Sequence, residues 1–508
     1  MRLIGVKLFA LATAGSLIFA TAGATASATA GSGGAAVDAD TQSWWALTRE
    51  LSVDAMAGRD TGSPGYDRAA ALVARRFAEA GLKPAGPNGS WFQTIEFDDL
   101  RLDSVHSSAG FGGHKLRFNH DLTLSPSNAT PHDLSALATF RGYCGPTDLD
   151  GVRGKLVVCY GRPAPARLAG FDRAKALQSA EAAGLLLIAA PGFPGEPIRW
   201  PFAYSRTMTI AGPAASVVKP FLVGTLNPDS LNGILPNAKH ILATGYAGGE
   251  LTHAELGRFV AHLKIDHTTP RSQNVLALLP GTDPALADQV IVISAHLDGY
   301  GRGEAIGGDT IYNGALDNAA YVALLERFAI VRAGKGFRRP VLFAAFTGEE
   351  KGLLGSTWYV AHPTVPLTSI SAIINLDQIR PLYPLKRMTV HGLKESNLGD
   401  FVRSIAGAQG IAVQEDPEPE RNLLRRSDNW PFMTAGIPGT SFVFATYDEP
   451  SRARYRDWYQ HRYHHPADDL TTPIDWQAAA DFNRFFYALT QAVADAPDRV
   501  AWKPGGRV

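Results

Sequence analysis

Apolar side chains recur every three to four residues at Trp44, Trp45, Leu47, Leu51 and Met56, which predicts helical structure within residues 42–77. A loop, GRDTGSPGYD, interrupts it and leads into a helix over 68–80, with Leu72, Val73 and Phe77 on one face and Gly81 as its stop. Beyond Trp91 the texture turns to short alternating runs and turn residues. GKLVVCYG (154–161) reads as a buried strand, 172–183 as a short helix and LLLIAA (185–190) as a second strand, inside a mostly β region reaching about His267. From Asn274 the pattern changes to strands alternating with helices: QVIVISAH, a helix over 319–331, PVLFAAF and SAIINLD. GTSFVFAT (439–446) adds a strand, and 478–494 closes the chain as a helix carrying Phe482, Phe485, Phe486 and Leu489. Such alternation predicts an α/β fold with a mixed, largely parallel central sheet and helices on both faces. A smaller β-rich domain interrupts it.

Length and composition narrow the class. The 508 residues suffice for two to four domains, and 45% hydrophobic residues exclude wholesale disorder. Lys+Arg and Asp+Glu both number 48, so net charge gives no electrostatic case for nucleic acid or an anionic membrane. Two cysteines exclude a disulfide-dense scaffold and Cys-rich zinc modules. Arg2 and Lys7 flank the start of an apolar run of about 13 residues, short of the roughly 20 that a bilayer requires. Small residues with A-x-A cleavage options follow. We expect a signal peptide over 1–28, a flexible leader over 29–39, and a mature protein exported to the periplasm or beyond, with no membrane span after cleavage. Export permits a disulfide between Cys144 and Cys159; two buried thiols are the alternative.

Candidate chemistry gathers at the ends of the later strands, where open α/β sheets hold ligands. His296 and Asp298 lie two apart after QVIVIS, so the imidazole can face a metal while the acid holds it from behind. Asp317, in NGALDN before a helix, is a ligand or an N-cap. Glu349 and Glu350 are adjacent acids on a turn after PVLFAAF; they repel each other unless a positive charge lies near. Asp377 ends SAIINLD, and YHHPADD brings His464 and His465. Two imidazoles and three carboxylates (His296, His464, Asp317, Glu350, Asp377) exceed one tetrahedral zinc and suit two ions sharing a carboxylate. Glu349 remains as a general base, and hydrolysis of an amide is the chemistry implied.

AHLD, NGALDN, TGEEKGLLGS, NLDQI and YHHPADD, in this order, resemble the co-catalytic dizinc aminopeptidase family of secreted zinc exopeptidases, with glutamate carboxypeptidase and the transferrin receptor as distant relatives. GKLVVCYG with AKALQSAEAAGLLLIAA resembles the protease-associated domain inserted in many members. The resemblance implies a catalytic domain over 40–111 and 267–508, with the insertion over 112–266. It further implies two zinc ions held by His296, Asp317, Glu350, Asp377 and His464, bridged by Asp317. Glu349 matches the general base, Asp298 the acid orienting the first histidine, and Tyr463 a tyrosine that serves the oxyanion in some relatives. Peptides are the implied substrates. Two departures stand out: Tyr321 replaces a glycine near the bridging acid, and the common S-D-H reads Ser427-Asp428-Asn429. The runner-up activity, carboxypeptidase or dipeptidase, is motivated by Arg421, Arg425, Arg426, Arg452, Arg454, Arg456 and Arg462, since guanidinium groups recognise carboxylates. A non-catalytic binding protein of the same architecture is the third reading.

Overall fold

In the strand Val341–Phe346, alternate side chains enter two different cores: Val341, Phe343 and Ala345 pack on one face of the sheet, and Leu342, Ala344 and Phe346 on the other. With both faces covered, the strand reads as an unbroken apolar run, as buried parallel strands do. The computed structural model describes residues 37–161, 168, 170–189, 199–212, 219–377 and 379–507. The expected signal peptide, and all of the leader before Val37, lie outside the described residues.

Val341–Phe346 belongs to an 11-stranded sheet. Its middle is parallel: Val290–His296 lies between Val341–Phe346 and Ile370–Asn375, and Gly439–Phe444 follows. Antiparallel strands flank this middle. Phe92–Leu102 and Arg271–Leu279 lie on one side and Arg387–His391 on the other. Helices Ala39–Ser52, Pro64–Glu79, Ala320–Arg332 and Trp476–Asp495 supply the larger core, centred on Phe77, Phe328, Phe343, Phe482 and Phe486. Leu354–Ala361 and Asn429–Thr434 cover the opposite face through Tyr359 and Phe432. The expected helix over 319–331 is observed as Ala320–Arg332, and that over 478–494 as Trp476–Asp495. Tyr321 fills the first turn of Ala320–Arg332 and packs edge-on against Phe482. Its bulk enters the core.

A second, 8-stranded sheet with its own apolar core takes strands from between Ser108 and His262. Leu156–Tyr160 and Gly184–Ile188 pair in parallel through Arg173–Ser179, a helix capped by Asp172. Cys144 and Cys159 are joined as a disulfide, buried beneath it. The sheets do not partition at residues 112 and 266. Ser108–Phe111 already pairs within the second sheet, while Arg206–Ile210 and Ile265–Thr268 pair with Phe92–Leu102 of the first. The β texture of the sequence carried no marker of which sheet each short strand would join. Among the described residues no helix is long and apolar enough to cross a membrane.

Candidate metal centre

Three of the parallel strands deliver the first chemistry. Val290–His296 ends in His296, Val341–Phe346 runs into Thr347-Gly348-Glu349-Glu350, and Ile370–Asn375 into Leu376-Asp377. The turn after Phe346 is tight. Gly348 adopts φ +68, a conformation open to glycine, and its carbonyl accepts from the Leu354 N–H. Thr347 is fixed from below by the Ser272 hydroxyl at 2.7 Å and the Asn274 amide oxygen at 3.1 Å. Asp317 comes from the turn Ala315–Ala319, in which Asp317 and Asn318 leave helical backbone angles, after Gly314 at φ +57; the Asp317–Asn318 peptide bond is cis.

Asp317 stands between the two imidazoles. Its Oδ1 lies 3.3 Å from His296 Nε2 and its Oδ2 lies 3.2 Å from His464 Nε2. On the His296 side Asp377 approaches to 3.8 Å; on the His464 side Glu350 approaches to 3.4 Å. The five predicted ligands thus fall into two triads that share Asp317: His296, Asp317 and Asp377, then Asp317, Glu350 and His464. Glu349 lies 3.9 Å from His296 Nε2, and His296, Glu349 and Glu350 form a third close grouping. His465 does not join them. It is buried one residue away, whereas His464, which the resemblance favours, faces Asp317.

The donor set fits divalent cations. Asp317 Oδ2, Glu350 Oε1 and Asp377 Oδ1 are buried without a hydrogen-bond partner, and buried carboxylate oxygens left so are costly. Imidazole nitrogen and carboxylate oxygen, without thiolate, suit zinc. Titration in the bare chain tells the same story. Burial, then Asp377 and Glu350, hold Glu349 well above the usual carboxylate range; Glu350 is held up by burial and Asp317. Asp377 is raised chiefly by burial. Burial opposes a charge on Asp317, yet the His296 and His464 imidazoles beside it outweigh burial and hold the acid low. His296 is likewise raised against burial, by Glu349, Asp317 and Asp377. His464 falls to about 3 through burial and the neighbouring Arg199 and Arg380. A surplus of carboxyl groups is packed around two imidazoles, and multivalent cations would balance the charge of their ionised forms.

The supporting residues are partly unexpected. Asp298 was expected to orient His296 through its carboxylate. That carboxylate is 3.8 Å from Nδ1, whereas the Asp298 backbone carbonyl is 3.1 Å away. The carboxylate accepts instead from the Glu349 N–H at 3.1 Å, the Glu350 N–H at 3.3 Å and the Thr61 hydroxyl at 3.1 Å, so it holds the acidic turn. Ser427 donates to Asp377 Oδ2 at 2.5 Å. Asp468, raised to about 7 by burial, accepts from the Leu316 and Asp317 N–H groups at 3.0 and 2.9 Å. Arg59, wholly buried, donates to the carbonyls of Leu51, Leu297, Asn313 and Gly314, tying the first loop to both histidine- and aspartate-bearing segments. No periodicity pointed to Ser427, Asp468 or Arg59; their neighbours in SDN, YHHPADD and GRDTGSPGYD were the available signals.

The cleft above has a volume of about 380 Å³ and is lined by the acids, Gly352, Leu353, Tyr463, His464, Arg425 and Arg426. Tyr463 is buried, its ring 3.7 Å from that of His464 and under the Arg199 guanidinium. Five of the seven arginines noted in the sequence are engaged elsewhere: Arg421 with Glu418, Arg452 and Arg456 with Glu449, and Arg454 and Arg462 with backbone carbonyls.

Residues 274–490 match the sequence profile of Peptidase family M28. Leupeptin-inactivating enzyme 1 of Streptomyces exfoliatus is 29% identical over 235 residues, 44% of this chain and 49% of its own length. A probable leucine aminopeptidase 2 of Aspergillus oryzae is 27% identical over 236 residues, 43% and 44% of the two chains. The chain thus spans about half the length of these curated relatives. Among solved structures, an aminopeptidase from Aneurinibacillus sp. strain AM-1 is similar with TM-score 0.60 at 18% identity, over 92% of this chain and 96% of its own. A zinc aminopeptidase from Bacillus subtilis is similar with TM-score 0.58 at 17% identity, over 90% and 96%. At these identities the two structures speak to the fold. The matched stretch contains His296, Asp317, Glu349, Glu350, Asp377 and His464, and over these residues the chain is similar to Peptidase family M28.

Proposed function

We propose that this chain is an exported aminopeptidase that binds two zinc ions and removes N-terminal residues from peptides. The observation that carries the proposal is the division of Asp317: one oxygen toward His296 and Asp377, the other toward His464 and Glu350. His296, Asp317 and Asp377 would hold one ion, and Asp317, Glu350 and His464 the other. When bound, zinc supplies Lewis acidity toward the peptide carbonyl and lowers the pKa of water.

The chain's own groups do the rest. Glu349 lines the cleft beside both triads, and its carboxylate takes a proton from the attacking water and delivers it to the departing amine. Asp298 keeps that carboxylate at a fixed height through the Glu349 N–H. Tyr463 lines the same cleft and would serve the oxyanion. The second sheet is proposed to serve as a protease-associated module shaping access for longer peptides. Glu349→Gln tests the mechanism: turnover of aminoacyl-nitroanilides falls by about 10²–10⁴-fold, while zinc content stays at the wild-type level. Retained turnover would remove Glu349 from the chemistry.

A second reading rests on Arg425 and Arg426, the two arginines of the cluster that line the cleft. They suit the terminal carboxylate of a carboxypeptidase or dipeptidase substrate. Cleavage of N-blocked peptides in preference to free-amine substrates would favour it.

A further inference from the structure

The two imidazoles are held in different ways. His296 Nδ1 faces a backbone carbonyl, that of Asp298, on the strand's own continuation. His464 sits at φ +57, a conformation that costs energy for any residue but glycine, and its Nδ1 faces side chains. The Tyr300 hydroxyl lies 2.9 Å from that nitrogen, and the Tyr300 ring packs 4.4 Å from the imidazole. Arg199 Nη1 lies 3.4 Å from the same atom.

An imidazole that offers Nε2 to a cation carries its proton on Nδ1, and that proton needs an acceptor. A guanidinium only donates, so Arg199 cannot provide one. The Tyr300 oxygen can. Arg199 is stationed instead over the Tyr463 and Tyr459 rings, at 4.4 and 4.7 Å. Tyr300 is in turn backed by Lys351, the residue after Glu350. Lys351 Nζ lies 5.0 Å over the Tyr300 ring, donates to the Tyr204 hydroxyl at 2.6 Å and pairs with Asp60 at 3.3 Å. Tyr204 reaches the site from the segment leading into Arg206–Ile210, and its ring lies 5.8 Å from Tyr300.

We propose that Tyr300 is a positioning residue for His464, fixing the tautomer that leaves Nε2 toward Asp317 and Glu350, and that Lys351 and Tyr204 hold it in place. The inference rests on the two-zinc reading and adds an asymmetry to it: one cation position depends on backbone, the other on a side-chain relay. The experiment is a zinc titration of the metal-free full chain against a competing chelator, for wild type, Tyr300→Phe and Tyr204→Phe. Melting of the metal-free forms and kcat and KM are followed alongside. Tyr300→Phe keeps the ring and loses the acceptor. It should bind one ion with wild-type affinity and the other about 10–100-fold more weakly, with kcat reduced, KM little changed and the metal-free melting temperature unchanged. Tyr204→Phe should weaken the same ion by a smaller factor. Wild-type affinity for both ions in Tyr300→Phe, or equal weakening of both, would overturn the proposal. Fewer than two ions in the wild type would overturn the two-zinc reading and the proposal with it, a failure visible before any variant is compared.

Discussion

Ser427 shows how much of the centre depends on single hydrogen bonds. Its hydroxyl meets the one oxygen of Asp377 that does not face His296. Removing such a partner of a ligating carboxylate typically costs 10–100-fold in metal affinity or activity. Ser427→Ala should therefore lower zinc affinity on the His296 side by about that factor, read by chelator competition; an unchanged affinity would show that Asp377 is oriented without it. Arg59 is a stability residue by the same reasoning. Arg59→Met leaves four carbonyls short of their charged donor, and each such bond contributes about 1.5–3 kcal/mol. Denaturant unfolding should show a loss of about 3 kcal/mol or more. The candidate ligands were legible in the sequence because five acid- and histidine-bearing motifs occur together at strand ends, although each alone has other uses. Ser427, Tyr300 and Arg59 were not, since a serine, a tyrosine or an arginine in a loop has many, and only the folded neighbourhood selects one.

At the scale of elements, helix Ala320–Arg332 buries Glu326 against helix Pro64–Glu79, where Arg76 reaches it at 3.2 Å. Burial, only partly offset by Arg76, pushes Glu326 up to about 7. The unfolded chain releases that proton near pH 4.3, so between about pH 4.3 and 7 the folded state binds more protons. Stability then falls as pH rises through that window and stays lower above it. Glu326→Gln should gain stability relative to wild type on going from pH 5 to pH 8, measured by urea unfolding at both; a constant difference would contradict the assignment. The parallel middle of the sheet was readable because strands covered on both faces are continuously apolar. The short strands between residues 108 and 268 were not divisible in advance, because length and alternation are the same in both sheets.

For the whole molecule, the tie between the interrupting region and the main sheet is ionic as well as hydrogen-bonded. Arg206, nearly buried, pairs with Asp60 at 2.6 Å and with Asp99 at 2.6 Å, so one strand from the interrupting region ties the first loop to the edge of the main sheet. Breaking such a buried arrangement from one side costs about 3–5 kcal/mol. Arg206→Met should lower the melting temperature and, by loosening Asp60 and Lys351, reduce turnover more than it changes KM. A normal melting temperature would show that the strand is held by its ladder alone. The measurement that tests the central claim most directly is zinc per chain in the purified protein, taken with hydrolysis of free-amine aminoacyl-nitroanilides before and after chelation. The account predicts two ions per chain and cleavage that is lost on chelation and restored by zinc. One ion or none, or cleavage indifferent to the chelator, would contradict it.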